Sequence, residues 1–135
     1  MKTIRIAAAV IVGPDGRVLL VRKRGTKFFM QPGGKIDVGE SPRDCLVREL
    51  REELDLKIDV TSVICMGQFE AAAANEPEHL VHADVYIVST DRTDFHPAAE
   101  IEEIRWVSPN APDAADLASL TGDYILPAYR KRSCG

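Results

Sequence analysis

Little in these 135 residues favours a scaffold held by covalent or metal cross-links. There are three cysteines (Cys45, Cys65 and Cys134), an odd number without metal-type spacing. Neither a disulfide framework nor a zinc site is indicated, and a reducing, cytoplasmic setting is expected. His79 and His82 stand three apart in a stretch that reads as strand, which places them on opposite faces and argues against a metal pair. Excess positive charge is also missing. Seventeen Lys and Arg against 21 Asp and Glu leave a net charge of −4. That balance speaks against a nucleic-acid-binding surface but not against small anions at a cation-loaded site. Long apolar runs are absent as well. Residues 6–12 are too few to span a membrane and pass directly into the turn Gly13-Pro14-Asp15-Gly16, so they read as strand rather than signal segment. No repeat, linker or low-complexity tract stands out beyond a short alanine run at 71–74. Length and a 45% hydrophobic content point to one domain over residues 1–135 with a sizeable core.

What is present is concentrated in one stretch, Gly33-Gly34-Lys35-Ile36-Asp37-Val38-Gly39-Glu40, followed by a run to Leu54 that nothing breaks as a helix. Ser41 suits the N-cap, Pro42 the first helical position, and Asp44 the place from which an acidic side chain returns a capping contact. Leu46, Val47, Leu50 and Leu54 share one helical face, while Glu49, Glu52 and Glu53, at i, i+3 and i+4, form a separate stripe. Three carboxylates on one stripe repel each other. A fold accepts that cost readily when a hard divalent cation such as magnesium sits among them. The competing reading is a solvated acidic helix, with Arg48 and Arg51 pairing to nearby glutamates at the surface.

The spacing decides between them. Gly34, five residues, Glu40, seven residues, Arg48-Glu49-Leu50, one residue, Glu52-Glu53, two residues, Leu56 resembles the box of the Nudix hydrolase family, spanning residues 34–56. Six fixed matches, each residue type near 7% of average composition, coincide by chance on the order of once in ten million starting points. The family has glycine just past the helix, where this chain has Asp55. Asp is among the few residues that tolerate the left-handed helix ending, so the departure removes no ligand.

Before and after the box the chain reads as strands. Residues 3–12 and 17–23 form a hairpin about Pro14-Asp15-Gly16, and residues 27–31 a short strand leading into a Pro32-Gly33-Gly34 turn. A long strand over 58–70, bulged near Gly67, is followed by a loop at 71–78 and an alternating strand at 80–90. A polar loop at 91–99 then leads to a strand ending at Val107. Two helical pieces, 113–120 and 123–132, are separated at Thr121-Gly122. This order is similar to the Nudix fold, an α/β arrangement in which a mixed sheet is sandwiched between helices. The resemblance runs from about residue 4 to residue 107.

The resemblance implies metal-dependent cleavage of the pyrophosphate linkage of a nucleoside diphosphate derivative. Glu49, Glu52, Glu53 and the Gly33 carbonyl would hold Mg2+ or Mn2+. Arg48 would orient the neighbouring carboxylates, and Glu40 would be structural or bound to an outer-shell metal. A glutamate six residues before the Trp reaches the metal site in MutT-type members, and Glu100 stands there, with Glu102 and Glu103 close by. The general base stays open among Glu52, Glu53 and Glu100. In the basic run Arg22-Lys23-Arg24, either Arg22 or Arg24 is a candidate for a substrate phosphate, against the plainer reading of a charged strand end. Markers of ADP-ribose and diadenosine-polyphosphate hydrolases are absent at 71–74, and the compact size resembles MutT-type members. A nucleoside triphosphate, oxidised or not, cut to monophosphate and pyrophosphate is therefore the expected substrate. Hydrolysis of ADP-ribose or another conjugate is the alternative, and a non-catalytic nucleotide-binding module the alternative of another class. An isopentenyl-diphosphate-isomerase reading is weaker, since Cys45 falls within the helix. A small nucleotide is the expected partner, with no nucleic acid or membrane. Monomer and homodimer are both open.

Overall fold

The sheet is organised on a strand that carries no polar side chain in its second half. The computed structural model describes residues 2–73, 76–110 and 116–134. Strand β1 (Lys2–Val12) is buried from Ala7 to Ile11 and pairs in parallel with β6 (His79–Ser89) along its whole length, Lys2 opposite His79 and Val12 opposite Ser89. A strand in such a position is covered on both faces. Ala7, Ala9 and Ile11 lie under Leu46, Leu50 and Leu54 of α1 (Pro42–Leu54). On the other face Val10, Ala83 and Val85 pack with Leu117, Ile125 and Leu126. These last two belong to a π-helical segment (Leu120–Ile125) and to α2 (Leu126–Cys134) that continues it. The expected architecture, a mixed sheet between helices, is what the chain forms.

One irregularity of the sheet positions everything functional. β1 pairs with β2 (Val18–Lys23) only at Ile11–Leu19 and Val12–Val18, and the two strands then part. Into the opening go β3 (Phe29–Met30), which pairs with β2, and β4 (Gly33–Lys35), which pairs with β1. β7 (Ile101–Val107) takes the other edge of β2, and β5 (Ile64–Ala72) the outer edge of β6. Residues 29–35 are thus a wedge between diverging strands.

Several expectations are corrected. Gly33 and Gly34 are strand rather than turn, because the parting of β1 and β2 leaves an edge of β1 to be filled. At Gly33, φ is +150°, and a Cβ would meet the Ala7 carbonyl and stand 2.8 Å from Ala8 Cα, so only glycine seats here. The strand expected from residue 58 begins at Ile64. Before it, the Asp59 carboxylate accepts from the Thr61 N–H (2.9 Å), and Arg43 donates to the carbonyls of Val60 and Val63, which holds the segment as a turn. The bulge near Gly67 is present as a register shift between Cys65 and Gly67. Of the helix expected over 113–120, residues 113–115 lie outside the described residues, as do 74–75 of the expected loop. Leu117 bridges to Phe29, and Ala118 donates its N–H to the Phe29 carbonyl (2.9 Å), which replaces helical pairing there. Thr121 and Gly122, expected to separate two helices, lie inside the π-helical segment. Among the described residues no helix is long and apolar enough to cross a membrane.

Candidate active site

Helix α1 begins and ends as its sequence dictates. The Ser41 hydroxyl accepts from the Asp44 N–H (3.1 Å) with Pro42 in the first turn. Asp55 takes the left-handed conformation (φ 50°, ψ 39°) and donates its N–H to the Arg51 carbonyl (3.1 Å). With the leucines buried, the rotation of the helix is set, and the glutamate stripe turns toward the wedge.

Glu53 is 3% exposed, and its Oε1 accepts from the Gly33 N–H (3.1 Å). Burial pushes its pKa up to about 8, opposed by the positive charge of Lys23 and by the Gly33 N–H. Glu49 is also largely buried, and burial raises its pKa. Its carboxylate occupies the space in which a Cβ on Gly34 would stand. Glu52 differs: its side chain is 53% exposed.

Arg48 binds these groups together from one side. It grips Glu40 through Nε and Nη2, both at 2.9 Å, and donates through Nη1 to Glu49 Oε1 (2.9 Å) and through Nη2 to the Lys35 carbonyl (3.1 Å). Such two-pronged, charge-assisted contacts hold a guanidinium in place. Arg48, together with the Asp37 N–H, lowers Glu40 to about 2. Glu40 and Arg48 thus form a brace between the loop and the helix, with Glu49 attached to it.

The wedge opens on a cavity of about 740 Å3. Gly33, Gly34 and Glu49 form part of its wall, and Lys23, Arg24 and Glu100 contribute as well. The structure therefore brings Glu100 near the α1 carboxylates, where its charge adds to those raising Glu53. Arg22 is placed elsewhere. It pairs with Glu103 (2.9 Å) and Glu102 (3.1 Å) and donates to the Thr26 carbonyl (2.9 Å). Arg24 is largely exposed at the cavity, 3.9 Å from Glu102.

Whether a divalent cation fits can be tested on the donor set. Among the described residues, no three His, Cys, Asp or Glu side chains stand close enough to hold an ion. The chemistry nevertheless suits a hard cation. Glu53 is buried and forms no ion pair among the described residues, Glu49 is cradled against a glycine, and the half-exposed Glu52 has room to turn. All donors are oxygen, which suits magnesium or manganese over softer metals.

Three residues of this region were not picked out from the sequence. Lys23 was hidden by the arginines on either side of it, although alternation along β2 separates its direction from theirs. Gln31 and Thr121, ninety positions apart, meet in a 2.6 Å hydrogen bond inside the core. A lone Gln between apolar Met30 and Pro32 was the available signal for the first, and none existed for the second.

Comparison with known proteins bears on the family and the fold. The NUDIX domain family model matches residues 2–129. The chain is 33% identical over 116 residues to a CTP pyrophosphohydrolase of Escherichia coli, covering 81% of this chain and 78% of that protein. It is 30% identical over 124 residues to an octanoyltransferase of Myxococcus xanthus, covering 90% of this chain but only 34% of that protein. A MutT protein of Methanosarcina mazei superposes with a TM-score of 0.79 at 23% identity, over 97% of this chain and 96% of the other, a likeness of fold. With the family model spanning nearly the whole chain, the chain belongs to the NUDIX family, whose named hydrolases cleave phosphoric anhydrides.

Proposed function

We propose that this chain is a divalent-metal-dependent pyrophosphohydrolase that cuts a nucleoside triphosphate to the monophosphate and pyrophosphate. One observation carries the reading. Two box carboxylates meet the glycine-lined wedge: the partly buried Glu49 at the wall of a cavity that Lys23, Arg24 and Glu100 also line, and the buried Glu53 behind it on the Gly33 N–H. The relative named as a CTP pyrophosphohydrolase, which resembles most of the chain, supports a triphosphate substrate.

Mg2+ or Mn2+, held by Glu49, Glu52, Glu53 and the Gly33 carbonyl, would supply charge neutralisation of the phosphates and activation of water. The chain's own residues do the rest. Gly33 and Gly34 let the phosphates approach the backbone without a side chain in the way. Arg48, tied to Glu40, keeps Glu49 turned inward and does not meet substrate. Arg24 and Lys23 face the anionic chain of the substrate, and Lys23 has no ion pair among the described residues. Arg22, held by Glu102 and Glu103, anchors β2 to β7 instead. The proton of the attacking water goes to a carboxylate among Glu52, Glu53 and Glu100, all within this one region. Because phosphoryl transfer asks mainly for positioning and neutralisation, no covalent intermediate with the protein is needed.

The test is product analysis with magnesium, then manganese, over ordinary and oxidised nucleoside triphosphates, ADP-ribose and diadenosine polyphosphates. Pyrophosphate and monophosphate in equal amounts from a triphosphate is the expected result. The Glu53→Gln variant should lose at least about 100-fold in kcat while melting within a few degrees of wild type. Wild-type turnover in that variant would refute the site, and preferential cleavage of ADP-ribose would refute the substrate.

A further inference from the structure

The three basic residues that close β2 are matched unequally. Arg22 is held by Glu102 and Glu103, and Arg24 stands 3.9 Å from Glu102. Lys23 makes no ion pair among the described residues, although it shares the cavity wall with Glu49 and Glu100. The sheet explains the difference. The register of β2 with β7 shifts between Arg22 and Lys23, with Glu102 as the extra residue, so Glu102 and Glu103 both reach Arg22 and neither pairs with Lys23. The backbone of Lys23 is nevertheless fixed: its carbonyl accepts from the Thr26 N–H (3.0 Å) and from the Thr26 hydroxyl (2.8 Å). Lys23 thus faces the carboxylates of the opening without settling on one of them.

We infer that Lys23 couples cation and phosphate at this site: it opposes a divalent cation that arrives alone and favours one that arrives on a phosphate chain. The inference rests on the metal-dependent reading above and adds to it a coupling between the two ligands. The signs follow from charge. Lys23 and a bare divalent cation are both positive and share one opening of low dielectric, so each raises the cost of the other. A cation already bound to a diphosphate or triphosphate belongs to a complex of net negative charge, and to that complex the same ammonium is attractive.

Three further observations agree. Burial raises the pKa of both Glu53 and Glu49, and the charge of Lys23 opposes that rise in each, so the lysine acts on the pair rather than on one partner. The donors do not form a closed cage, since among the described residues no three His, Cys, Asp or Glu side chains stand close enough to hold an ion. Magnesium is ordinarily held in this way, by one or two carboxylates with substrate phosphates completing its shell. The other cation beside Glu49, Arg48, is fixed on Glu40, Glu49 and the Lys35 carbonyl, whereas Lys23 carries its charge on a flexible stem free to turn from carboxylate to phosphate.

The experiment reads binding apart from turnover. Calorimetry is run on wild type, Lys23→Met and Lys23→Arg with two probes: manganese alone, and its complex with methylenediphosphonate, whose P–C–P link is not hydrolysed. Lys23→Met keeps most of the stem and removes the charge, and Lys23→Arg keeps the charge. Lys23→Met is expected to bind manganese alone about 10-fold more tightly than wild type, and the complex about 10-fold less tightly. Lys23→Arg should stay within about 3-fold of wild type for both probes. Any result in which Lys23→Met does not move the two affinities in opposite directions overturns the inference, because a purely structural lysine would act on both alike. A Lys23→Arg variant that behaves as Lys23→Met overturns it too, since charge would then not be the cause. Wild type that takes up neither probe sinks the metal-dependent reading itself, whereas uptake of both that ignores Lys23 sinks this inference alone.

Discussion

The adjacent glycines of the wedge should fail in different ways when each is given a methyl group. At Gly34 the backbone is not left-handed, and the atoms that an added Cβ would strike belong to the Glu49 carboxylate, the far end of a flexible side chain. Gly34→Ala can therefore be relieved by rotating Glu49 away, at the loss of its 2.9 Å bond to Arg48. That bond, charge-assisted and partly buried, is worth about 1.5–3 kcal/mol, and the stiffer unfolded chain returns about 0.4–1 kcal/mol. The net cost is about 1–2 kcal/mol, a fall of roughly 3–8 °C in melting temperature. At Gly33 the obstacles are the Ala7 carbonyl and Ala8 Cα, both backbone, and φ is +150°. Strain and overpacking of about 1–3 kcal/mol each, about 2–6 kcal/mol together, make Gly33→Ala two to three times costlier, a drop of roughly 6–24 °C. Function separates them further. Displacing Glu49 should raise the magnesium concentration needed for half-maximal pyrophosphate release by about 10- to 100-fold in Gly34→Ala, with a folded protein. The assays are thermal melting by circular dichroism and magnesium titration of activity. Wild-type metal dependence in Gly34→Ala would refute the role given to Glu49. Equal melting of the two variants would refute the account of the clash.

Other consequences are simpler. Leu50, fully buried under the sheet-facing side of α1, should cost about 2–5 kcal/mol as Leu50→Ala, read by urea denaturation at unchanged m-value. Glu40→Gln removes a carboxylate whose pKa is lowered to about 2, so its contribution is fully present above its ordinary value of 4.5 and is lost as pH falls through about 2. The gap in melting temperature between wild type and this variant should be constant from pH 7 to pH 5 and close toward pH 2. A gap that persists at pH 2 would show that the Arg48 pairing is not its source. Cys65 is exposed, while Cys45 is buried with its thiol pKa pushed to about 12 by that burial. Alkylation at pH 8, mapped by mass spectrometry, should label Cys65 in the folded protein and Cys45 only after unfolding.

What could be read from the sequence was whatever depends on spacing along one element. Leu46, Leu50 and Leu54 recur at four-residue intervals, so the buried face of α1, and with it the direction of Glu49 and Glu53, followed from the chain alone. Ser41 and Asp55 marked its ends for the same reason. What could not be read depended on meetings between elements. Arg22, Lys23 and Arg24 look alike in sequence, and only the pairing of β2 with β7 shows that Arg22 faces Glu102 and Glu103. The conformation of Gly33-Gly34 followed from the edge left open by the parting of β1 and β2, not from the local residues, which are ordinary turn chemistry. The end of the chain was misread where Leu117 and Ala118 pair with Phe29, a contact across some ninety residues.

Two buried polar groups that protein only partly satisfies lie at the same opening of the sheet. Glu53 is a carboxylate buried without an ion pair, and Gln31 an amide buried with its donors unmet, among the described residues. They are linked through the wedge: Gln31 and Gly33 flank Pro32, and the Gly33 N–H donates to Glu53. An apolar residue at either position would make a more stable domain, since neither polar group is fully met by protein. Elsewhere the core is alanine, valine and leucine on both faces of β1 and β2, with one further exception in Asp84 of β6, whose buried Oδ2 also lacks a hydrogen-bond partner among the described residues. The two groups differ in what they lack: Glu53 wants positive charge and Gln31 wants a hydrogen-bond acceptor. A divalent cation among the α1 carboxylates would answer the first demand, whereas it would leave Gln31 as it is.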